Sequence, residues 1–403
     1  MAAAAPVDED RSTRAHATAA VLGYQPALDG IRAVAIVMVL LFHTIYRNKA
    51  LFAGGYLGVD AFFVLSGFLI TTLLLQEARR WRHVSLRRFY VRRALRLLPL
   101  AGALALTGAL VNLTTSRGFA ERPWPEGVAS VLFYFANWMH LWQPSALGFM
   151  GHAWSLAIEE QFYLLWPPLL VLLLWRRVGR WPLLLIAVAL ACGSAALRAY
   201  RWYTVTHPGH AMTASAFGRF VLGQREFKAG DHIYYSSFTH ADGLLIGCAL
   251  AVLLVSFPSL HRVVPRFGVA IATAGVVAAG VVVAKAGPAG IGSFLSYWGL
   301  PVFELGVAAV TAAVVLRPRL LLGRALGNPV AVWVGRRSYG LYVIHGAVFT
   351  LLAHVFHTDG VLIPAMWGLT FALAALSFRF LETPILRLKD RFSTRPVTPS
   401  LAT

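Results

Sequence analysis

The stretch LDGIRAVAIVMVLLFH, residues 28–43, decides the fold. Twelve of its sixteen residues are apolar, as suits a helix in lipid, yet it also contains Asp29, Arg32 and His43. Asp29 and Arg32 lie three residues apart and can pair on one helix face. His43 faces the same way as Arg32, about 16 Å further along the axis. Ionisable side chains in a membrane helix are costly and usually line a cavity or pathway. The alternative is a structural pair at the helix start and an interfacial histidine.

The composition is that of a polytopic membrane protein. The chain has 403 residues, of which 58% are hydrophobic and 13% charged, and its mean hydropathy is +0.65. Soluble domains contain about 25% charged residues. The apolar residues occur in runs of roughly 18–25, the length of a helix that crosses a bilayer. The two cysteines, Cys192 and Cys248, lie inside apolar runs, so neither a disulfide framework nor a metal site is expected.

The net charge of +19 favours membrane topology over nucleic-acid binding. Basic residues concentrate in loops that stay cytoplasmic, and this explains the excess without a nucleic-acid partner. The N-terminal residues 1–23 are small and polar and lack the apolar region of a signal peptide. We interpret them as a disordered cytoplasmic tail. Residues 24–385 form the expected transmembrane domain, and residues 386–403 form a cytoplasmic C-terminal tail.

The apolar segments predict an all-α fold with about ten transmembrane helices. Eleven candidates are present: Ala27–Tyr46, Gly54–Leu75, Ala94–Leu113, Val128–Trp142, Ala153–Leu174, Trp181–Leu197, Thr239–Ser256, Gly268–Ala286, Ile291–Leu316, Ser338–Phe356 and Val361–Phe380. The segment Arg79–Arg93 holds seven arginines and must be cytoplasmic. The later basic loops are also cytoplasmic if Val128–Trp142 does not cross. We therefore expect this segment to be re-entrant or interfacial, and both termini to be cytoplasmic. The loop Ala199–Phe238 would face outside, as a cap over an acceptor site or as a simple connector.

Further polar residues interrupt the second and third spans. The second span, GGYLGVDAFFVLSGFLITTLLL, contains Asp60 and Ser66, and its glycines allow close helix packing. Arg93 and Arg96 lie three residues apart at the cytoplasmic end of the third span. Guanidinium groups match phosphate oxygens, so this pair is a candidate phosphate clamp. A basic belt that faces lipid headgroups is the alternative, and we favour it for Arg79–Arg88.

Two later segments also place ionisable residues in apolar surroundings. In HAWSLAIEEQFYLLWP, Glu159 and Glu160 must face the bundle interior or its outer vestibule. We expect this end to lie level with His43. In SYGLYVIH, His345 follows Tyr339 by six residues, and a histidine in such a place is more often a core residue than a catalyst.

Together these stretches resemble the acyltransferase 3 family of integral-membrane O-acyltransferases. The resemblance covers residues 24 to about 385, in the family's order. The matching pieces are LDGIRAVAIVMVLLFH, GYLGVDAFFVLSGFLIT, FYVRRALRLLP, WSLAIEEQFYLLWP and SYGLYVIH. Members move acyl groups, commonly acetyl, from cytoplasmic acyl-CoA to hydroxyls, mostly of cell-surface sugars. Many carry an esterase-like domain after the membrane part. This chain ends about twenty residues after its last span, so we expect a stand-alone membrane domain. It completes the transfer itself or passes the group to a separate periplasmic or extracellular transferase.

The resemblance implies roles for the polar residues. Arg93 and Arg96 would bind the phosphates of acyl-CoA, which is a co-substrate and not a permanently bound cofactor. His43 would take the proton of the acceptor hydroxyl, or carry the acyl group in a ping-pong route. Glu159 would orient His43 or bind sugar hydroxyls. Arg32 would stabilise the thioester oxygen or hold Asp29. The remaining candidates for contact with substrate are Asp29, Asp60, Ser66, Glu160 and His345.

Two other functions compete with glycan acylation. O-acylation of a small secondary metabolite or antibiotic fits stand-alone members and the high Ala, Arg, Gly and Val content, which suggests a GC-rich bacterial genome. A transporter or flippase would also use buried charges and a polar vestibule. The ordered motifs argue against transport, and no internal repeat is visible in the sequence.

Overall fold

The computed structural model describes residues 23–45, 52–114, 122–207, 233–287, 292–355 and 359–388, and within these ranges all regular structure is helical. The N-terminal tail and nearly all of the C-terminal tail lie outside the described residues. We label twelve helices: α1 Pro26–Ile45, α2 Gly58–Trp81, α3 Leu86–Thr114, α4 Pro125–Leu132, α5 Ala136–Trp142, α6 Trp154–Trp175, α7 Arg180–Thr206, α8 Asp242–Ser256, α9 Gly268–Lys285, α10 Leu300–Leu316, α11 Ser338–Val355 and α12 Asp359–Ser377.

The helices confirm a polytopic helical membrane protein. In the described part of the chain, eight helical segments are long and apolar enough to cross a membrane. They correspond to α1, α2, α3, α6, α7, α9, α10 and α12. The helices α8 and α11 are apolar but shorter. These ten helices coincide with ten of the eleven apolar segments in the sequence.

The eleventh segment, Val128–Trp142, does not form one helix. It is divided between α4 and α5, with a break at residues 133–135 where Tyr134 has a φ of 53°. A 3₁₀ segment, Pro144–Ala153, follows and leads into α6. Neither short helix is long enough to cross a bilayer. This geometry fits the expectation of a re-entrant or interfacial segment.

The expected outer loop Ala199–Phe238 is shorter than the sequence predicted. Helix α7 continues to Thr206, because residues 199–206 contain neither glycine nor proline to end it. Residues 208–232 lie outside the described residues. The segment after them, residues 233–241, packs back into the bundle and carries the buried residues Ile233, Thr239 and His240.

The centre of the bundle is the close contact between α2 and α8. A Cβ atom at Gly67 would overlap the carbonyl oxygen of Leu244, and one at Gly247 would overlap that of Val64. Small residues let two membrane helices approach until their backbones touch. The glycines therefore set the spacing of α2 and α8, on which the neighbouring helices α7 and α10 also pack.

Substitution of Gly67 or Gly247 by alanine is expected to lower the thermal stability of the protein in detergent. Overpacking of this kind costs about 1–3 kcal/mol, which outweighs the gain of up to about 1 kcal/mol from alanine in a helix. Gly102→Ala in α3 is the matched control, because a Cβ there has no atom within 4 Å. Equal melting midpoints for Gly67→Ala and Gly102→Ala would contradict this account of the packing.

Candidate active site

Two cavities formed by the described residues bear on function. The larger one, about 610 Å³, we call the arginine cavity. Its polar lining includes Arg32, Ser66, Arg80, Arg92, Arg93, Arg96, Ser155, Glu159, Tyr163 and Tyr342. The smaller one, about 270 Å³, we call the histidine cavity. Its lining consists of Val39, Phe42, His43, Tyr56, Val59, His140, Gly151, His152, Trp154, Tyr234, Tyr235 and Tyr342.

The two cavities share a wall. Val59 and Tyr342 line both of them. Helix α1 runs past both: Arg32, near its start, lines the arginine cavity, and His43, near its end, lines the histidine cavity. Eleven residues of helix separate these side chains by about 16 Å. The cavities are therefore stacked along α1, with a cationic compartment at one end and a neutral, aromatic one at the other.

Arg93 is neutralised by acidic neighbours. Its Nε donates to both carboxylate oxygens of Glu160, at 2.8 and 3.0 Å, and its terminal nitrogen is also paired with that carboxylate. Glu159 lies 3.6 Å from the guanidinium group. The guanidinium carbon lies 3.3 Å from the ring centre of Tyr163. The expected phosphate-binding arginine is thus held inside the protein, and Glu160 lines neither cavity.

Arg96 is a cation of the arginine cavity that lacks a carboxylate partner in the described part of the chain. It is part of the lining, and in the described residues it makes no ion pair with a carboxylate. Arg32 is paired with Asp29 at 3.5 Å, and Arg92 lies 3.7 Å from Glu77. A cationic side chain in a largely apolar cavity is costly unless an anion occupies the space. Arg96 is therefore the first candidate for binding an anionic ligand.

Glu159 belongs to the arginine cavity and not to the histidine cavity. The hydroxyls of Ser66 and Tyr163 donate to its carboxylate at 2.6 and 2.5 Å. The expectation that Glu159 orients His43 does not match this position, because the two side chains line different cavities. Glu159 lies about one helical turn beyond Ser155, whose hydroxyl contacts Tyr342 at the junction of the cavities. Helix α6 therefore carries its carboxylates past the junction, towards Arg93.

Arg32 is too distant from His43 to act at the same reacting atoms. An axial separation of about 16 Å leaves it at the end of α1 where Asp29 holds it. Asp29 also accepts a hydrogen bond from Tyr24 at 2.7 Å and lies 3.6 Å from Arg336. Asp29 lines neither cavity. Of the two roles that the resemblance gave Arg32, the structure favours pairing with Asp29 over stabilising the thioester oxygen.

His43 is presented to the histidine cavity with one nitrogen free. Its Nδ1 lies 2.8 Å from the carbonyl oxygen of Val39. With the proton on Nδ1, that hydrogen bond leaves Nε2 as the basic nitrogen. The side chain is exposed at the cavity surface, and its ring meets that of Phe42 edge-on. This arrangement suits a general base.

His345 lies behind the cavity. It is fully buried and lines neither cavity, so the expected contact with substrate has no surface on which to form. Its ring centre lies 4.8 Å from that of His43 and 4.7 Å from that of His152. Its Nδ1 lies 2.6 Å from the carbonyl oxygen of Tyr342. His345 thus contacts two of the three histidines of the cavity wall, His43 and His152.

Sequence reasoning missed His152 and Tyr342. His152 stands two residues before Trp154 in HAWSLAIEE, and a single histidine at the start of an apolar segment gives no signal of its own. The hydroxyl of Tyr342 donates to the carbonyl oxygen of His152 at 2.7 Å and lies 2.6 Å from Oγ of Ser155. These contacts join α6 to α11 at the junction of the cavities. Only the fold could reveal them, because the partners are nearly two hundred residues apart.

A second polar cluster lies beside the histidine cavity and accounts for the buried position of Asp60. Asp60 is fully buried and its Oδ1 lies 2.5 Å from Nε2 of His240. Arg198 lies 2.6 Å from Asp242 and donates to the carbonyl oxygen of Thr239 at 2.9 Å. The five buried members are Asp60, Arg198, His240, Asp242 and Glu304. The contacts of Asp60 with His240 and of Arg198 with Thr239 hold the segment 233–241, which carries Tyr234 and Tyr235 into the cavity wall. Asp60 therefore has a structural position and not one on a cavity surface.

These features define a polytopic helical membrane protein with a cationic and a histidine-lined cavity that meet inside the bundle. The acyltransferase domain family matches residues 25–380, nearly the whole of the described bundle. The chain belongs to this family. No solved structure matches it. In the described residues, no group of three or more His, Cys, Asp or Glu side chains is arranged to hold a metal ion.

Three bacterial proteins are similar in sequence to this chain. The peptidoglycan O-acetyltransferase OatA of Listeria monocytogenes is 32% identical over 382 residues, which cover 90% of this chain and 56% of that protein. A putative O-acetyltransferase of Staphylococcus aureus is 31% identical over 389 residues, which cover 90% of this chain and 57% of that protein. A putative peptidoglycan O-acetyltransferase of Bacillus subtilis is 31% identical, over 90% of this chain and 55% of that protein. The chain thus spans a little over half the length of these relatives.

Arg93→Ala and Arg96→Ala are expected to have different effects on stability. Loss of Arg93 leaves Glu159 and Glu160 without their cation, at a cost on the order of 3 kcal/mol. Loss of Arg96 breaks no ion pair within the described residues and should leave the melting midpoint in detergent nearly unchanged. Thermal unfolding of the two purified variants checks this. A larger destabilisation by Arg96→Ala would show that Arg93 does not hold the acidic pair.

Proposed function

We propose that this protein is a membrane O-acyltransferase that moves an acyl group, by default acetyl, from acyl-CoA to a hydroxyl of a cell-envelope glycan or its lipid-linked precursor. The observation that carries the proposal is the pair of stacked cavities that share Val59 and Tyr342. The arginine cavity presents cationic side chains to an anionic ligand, and the histidine cavity contains His43 as a base. A thioester that reaches across the shared wall would meet that base.

The arginine cavity suits the anionic end of acyl-CoA. Guanidinium groups bind phosphate oxygens strongly, and Arg96 has no carboxylate partner within the described residues. Arg80 and Arg92 also line this cavity and belong to the basic segment Arg79–Arg93. Such segments stay on the cytoplasmic side, which is where acyl-CoA is made. We therefore place the protein in the plasma membrane with the arginine cavity and both termini facing the cytoplasm.

In the proposed reaction, the acceptor hydroxyl attacks the thioester carbon beside His43. Nε2 of His43 takes the hydroxyl proton as the new carbon–oxygen bond forms. The carbon–sulfur bond then breaks, and the thiolate of CoA withdraws into the arginine cavity, where it gains a proton from water. The products are the O-acyl acceptor and CoA. Holding both reactants across one wall supplies the proximity on which such a transfer depends.

The histidine cavity suits a neutral sugar as acceptor. Its lining is aromatic and uncharged apart from the histidines, and sites of this kind bind apolar faces while a few polar groups fix orientation. Two of the relatives are named peptidoglycan O-acetyltransferases. We take the cell-wall glycan as the first acceptor to test. A separate transferase on the outer side would complete the transfer if the membrane domain only delivers the acyl group.

The purified protein in detergent is expected to release thiol from acetyl-CoA when glycan acceptors are present, and His43→Ala should reduce the rate by at least 10²-fold. The release is measured with a thiol reagent, with and without a mixed pool of cell-envelope glycans. His207→Ala is the matched control, since His207 is exposed at the end of α7 and lines neither cavity.

Other results of this assay would favour a different acceptor or a different function. Thiol release that depends on His43 but requires a small hydroxylated metabolite would favour tailoring of a secreted compound over glycan acylation. No release from any short acyl-CoA by folded protein would contradict the proposed mechanism. In that case, substrate movement without thioester cleavage, measured in proteoliposomes, would establish transport.

A further inference from the structure

The proposed reaction places negative charge on the thioester oxygen. When the acceptor hydroxyl attacks the carbonyl carbon, an electron pair of the carbon–oxygen double bond moves to that oxygen. A hydrogen-bond donor already in place at the oxygen usually gives the largest single contribution to the rate of such reactions. Arg32 lies about 16 Å from His43 along α1, which is too far for this role. We therefore expect the donor among the side chains that line the histidine cavity.

Trp154 presents an unused donor to that cavity. Its side chain lines the histidine cavity and not the arginine cavity, and only 7% of the residue is exposed. The indole N–H donates to no acceptor in the described residues, yet it is not enclosed by the packing as the unpaired hydroxyl of Tyr234 is. The small exposed part of Trp154 therefore includes Nε1, which has access to a ligand in the cavity.

Aromatic neighbours hold the ring of Trp154 in place. His240 stacks on it with ring centres 5.6 Å apart and an interplanar angle of 27°. Tyr234 and Tyr235 contact it with ring centres 5.0 Å away, and Phe63 meets it edge-on at 6.4 Å. A donor that is fixed before the reaction needs no reorganisation when charge develops. The packing around Trp154 supplies this condition.

The place of Trp154 in the fold also favours negative charge beside it. It is the first residue of α6, and the N-terminus of a helix carries a partial positive charge. The next residue, Ser155, contacts the hydroxyl of Tyr342, which lines both cavities. The histidine cavity, at about 270 Å³, is small for a ligand pocket. An acetyl thioester that enters it at the junction and reaches His43 is therefore also close to Trp154.

We propose that Nε1 of Trp154 donates the hydrogen bond that stabilises the thioester oxygen in the transition state. This role rests on the proposed function and adds a catalytic residue to it. Attack by the acceptor hydroxyl forms the new carbon–oxygen bond, and His43 takes the hydroxyl proton. The electron pair on the thioester oxygen accepts the hydrogen bond from Trp154, which keeps its own proton throughout. The pair then returns to the carbonyl bond, the carbon–sulfur bond breaks, and CoA leaves as the thiolate.

Two alternatives fit the cavity wall less well. Trp154 could stack on a sugar, but its neighbours leave too little of the residue exposed for a full ring face, whereas an N–H edge needs little surface. His140 also lines the cavity, and its Nδ1 is buried without a partner in the described part of the chain. A neutral imidazole has one donor and one acceptor nitrogen, so His140 can present either to a ligand. An indole nitrogen is a donor only.

The test replaces Trp154 by phenylalanine and, separately, by benzothienylalanine, an unnatural amino acid in which sulfur takes the place of the indole N–H. The second variant keeps the shape of the indole ring and its aromatic contacts, so it tests the role even if Trp154→Phe does not fold. Trp202→Phe is the matched control, because it removes an indole N–H that donates to Ser293 at 3.2 Å and lines neither cavity. Each purified protein is assayed for acceptor-dependent thiol release from acetyl-CoA, and kcat is separated from the KM of the donor and of the acceptor.

Both replacements of Trp154 are expected to lower kcat by about 10²- to 10³-fold and to leave the KM of acetyl-CoA within about twofold of wild type. The hydrogen bond strengthens as charge develops, so its loss affects the transition state more than the bound thioester. A purely structural role of the ring would be preserved in the benzothienylalanine variant. A similar loss in both variants therefore identifies the N–H as the group that matters. Trp202→Phe should keep most of the wild-type kcat.

Two results would overturn this role of Trp154. Wild-type kcat in the benzothienylalanine variant would show that the N–H does not act in the reaction, whatever Trp154→Phe does. A raised KM of the acceptor with an unchanged kcat would show that Trp154 binds the acceptor instead. If wild-type protein shows no His43-dependent thiol release, the proposed function fails and this role fails with it. His43-dependent release with a fully active benzothienylalanine variant leaves the proposed function standing and removes only the role of Trp154.

Discussion

The cost of an ionisable side chain in hydrocarbon organises this structure. Most such residues in the described bundle pair with a partner or face a cavity, and the buried Glu304 is an exception. Arg93 is paired with Glu160, Arg198 with Asp242 and Asp60 with His240, and these pairs tie helices together. Arg96 and His43 instead face cavities. The paired residues stabilise the bundle, and the residues that face cavities are available to bind a substrate.

The geometry of the site also depends on the close approach of helix backbones. At Gly67 and Gly247 the helices α2 and α8 approach until no side chain fits between them. Helix α2 also passes both cavities, with Val59 at their shared wall and Ser66 in the arginine cavity. A rigid contact on one side of α2 therefore keeps its other side in place. The distance between the donor and acceptor compartments depends on that rigidity.

Local patterns predicted the helices well, and the contacts within the site poorly. Apolar runs and the positions of arginines were sufficient for the bundle and for the interrupted segment Val128–Trp142. The same patterns grouped Glu159 with His43, because both were expected at the outer level of the membrane. The chain instead carries Glu159 past the junction, to Ser66 and Tyr163. Charge spacing along one helix does not encode which cavity a residue lines, because that depends on helices distant in sequence.

The central claim is that one acyl-CoA molecule extends from the arginine cavity across the shared wall to His43. A structure of the protein with a non-hydrolysable thioether analogue of acetyl-CoA tests it most directly. The account predicts that the nucleotide end lies at Arg96, that the chain passes between Val59 and Tyr342, and that the acetyl group lies beside His43. An analogue whose nucleotide end occupies the histidine cavity, or whose acetyl group stays in the arginine cavity, would contradict it.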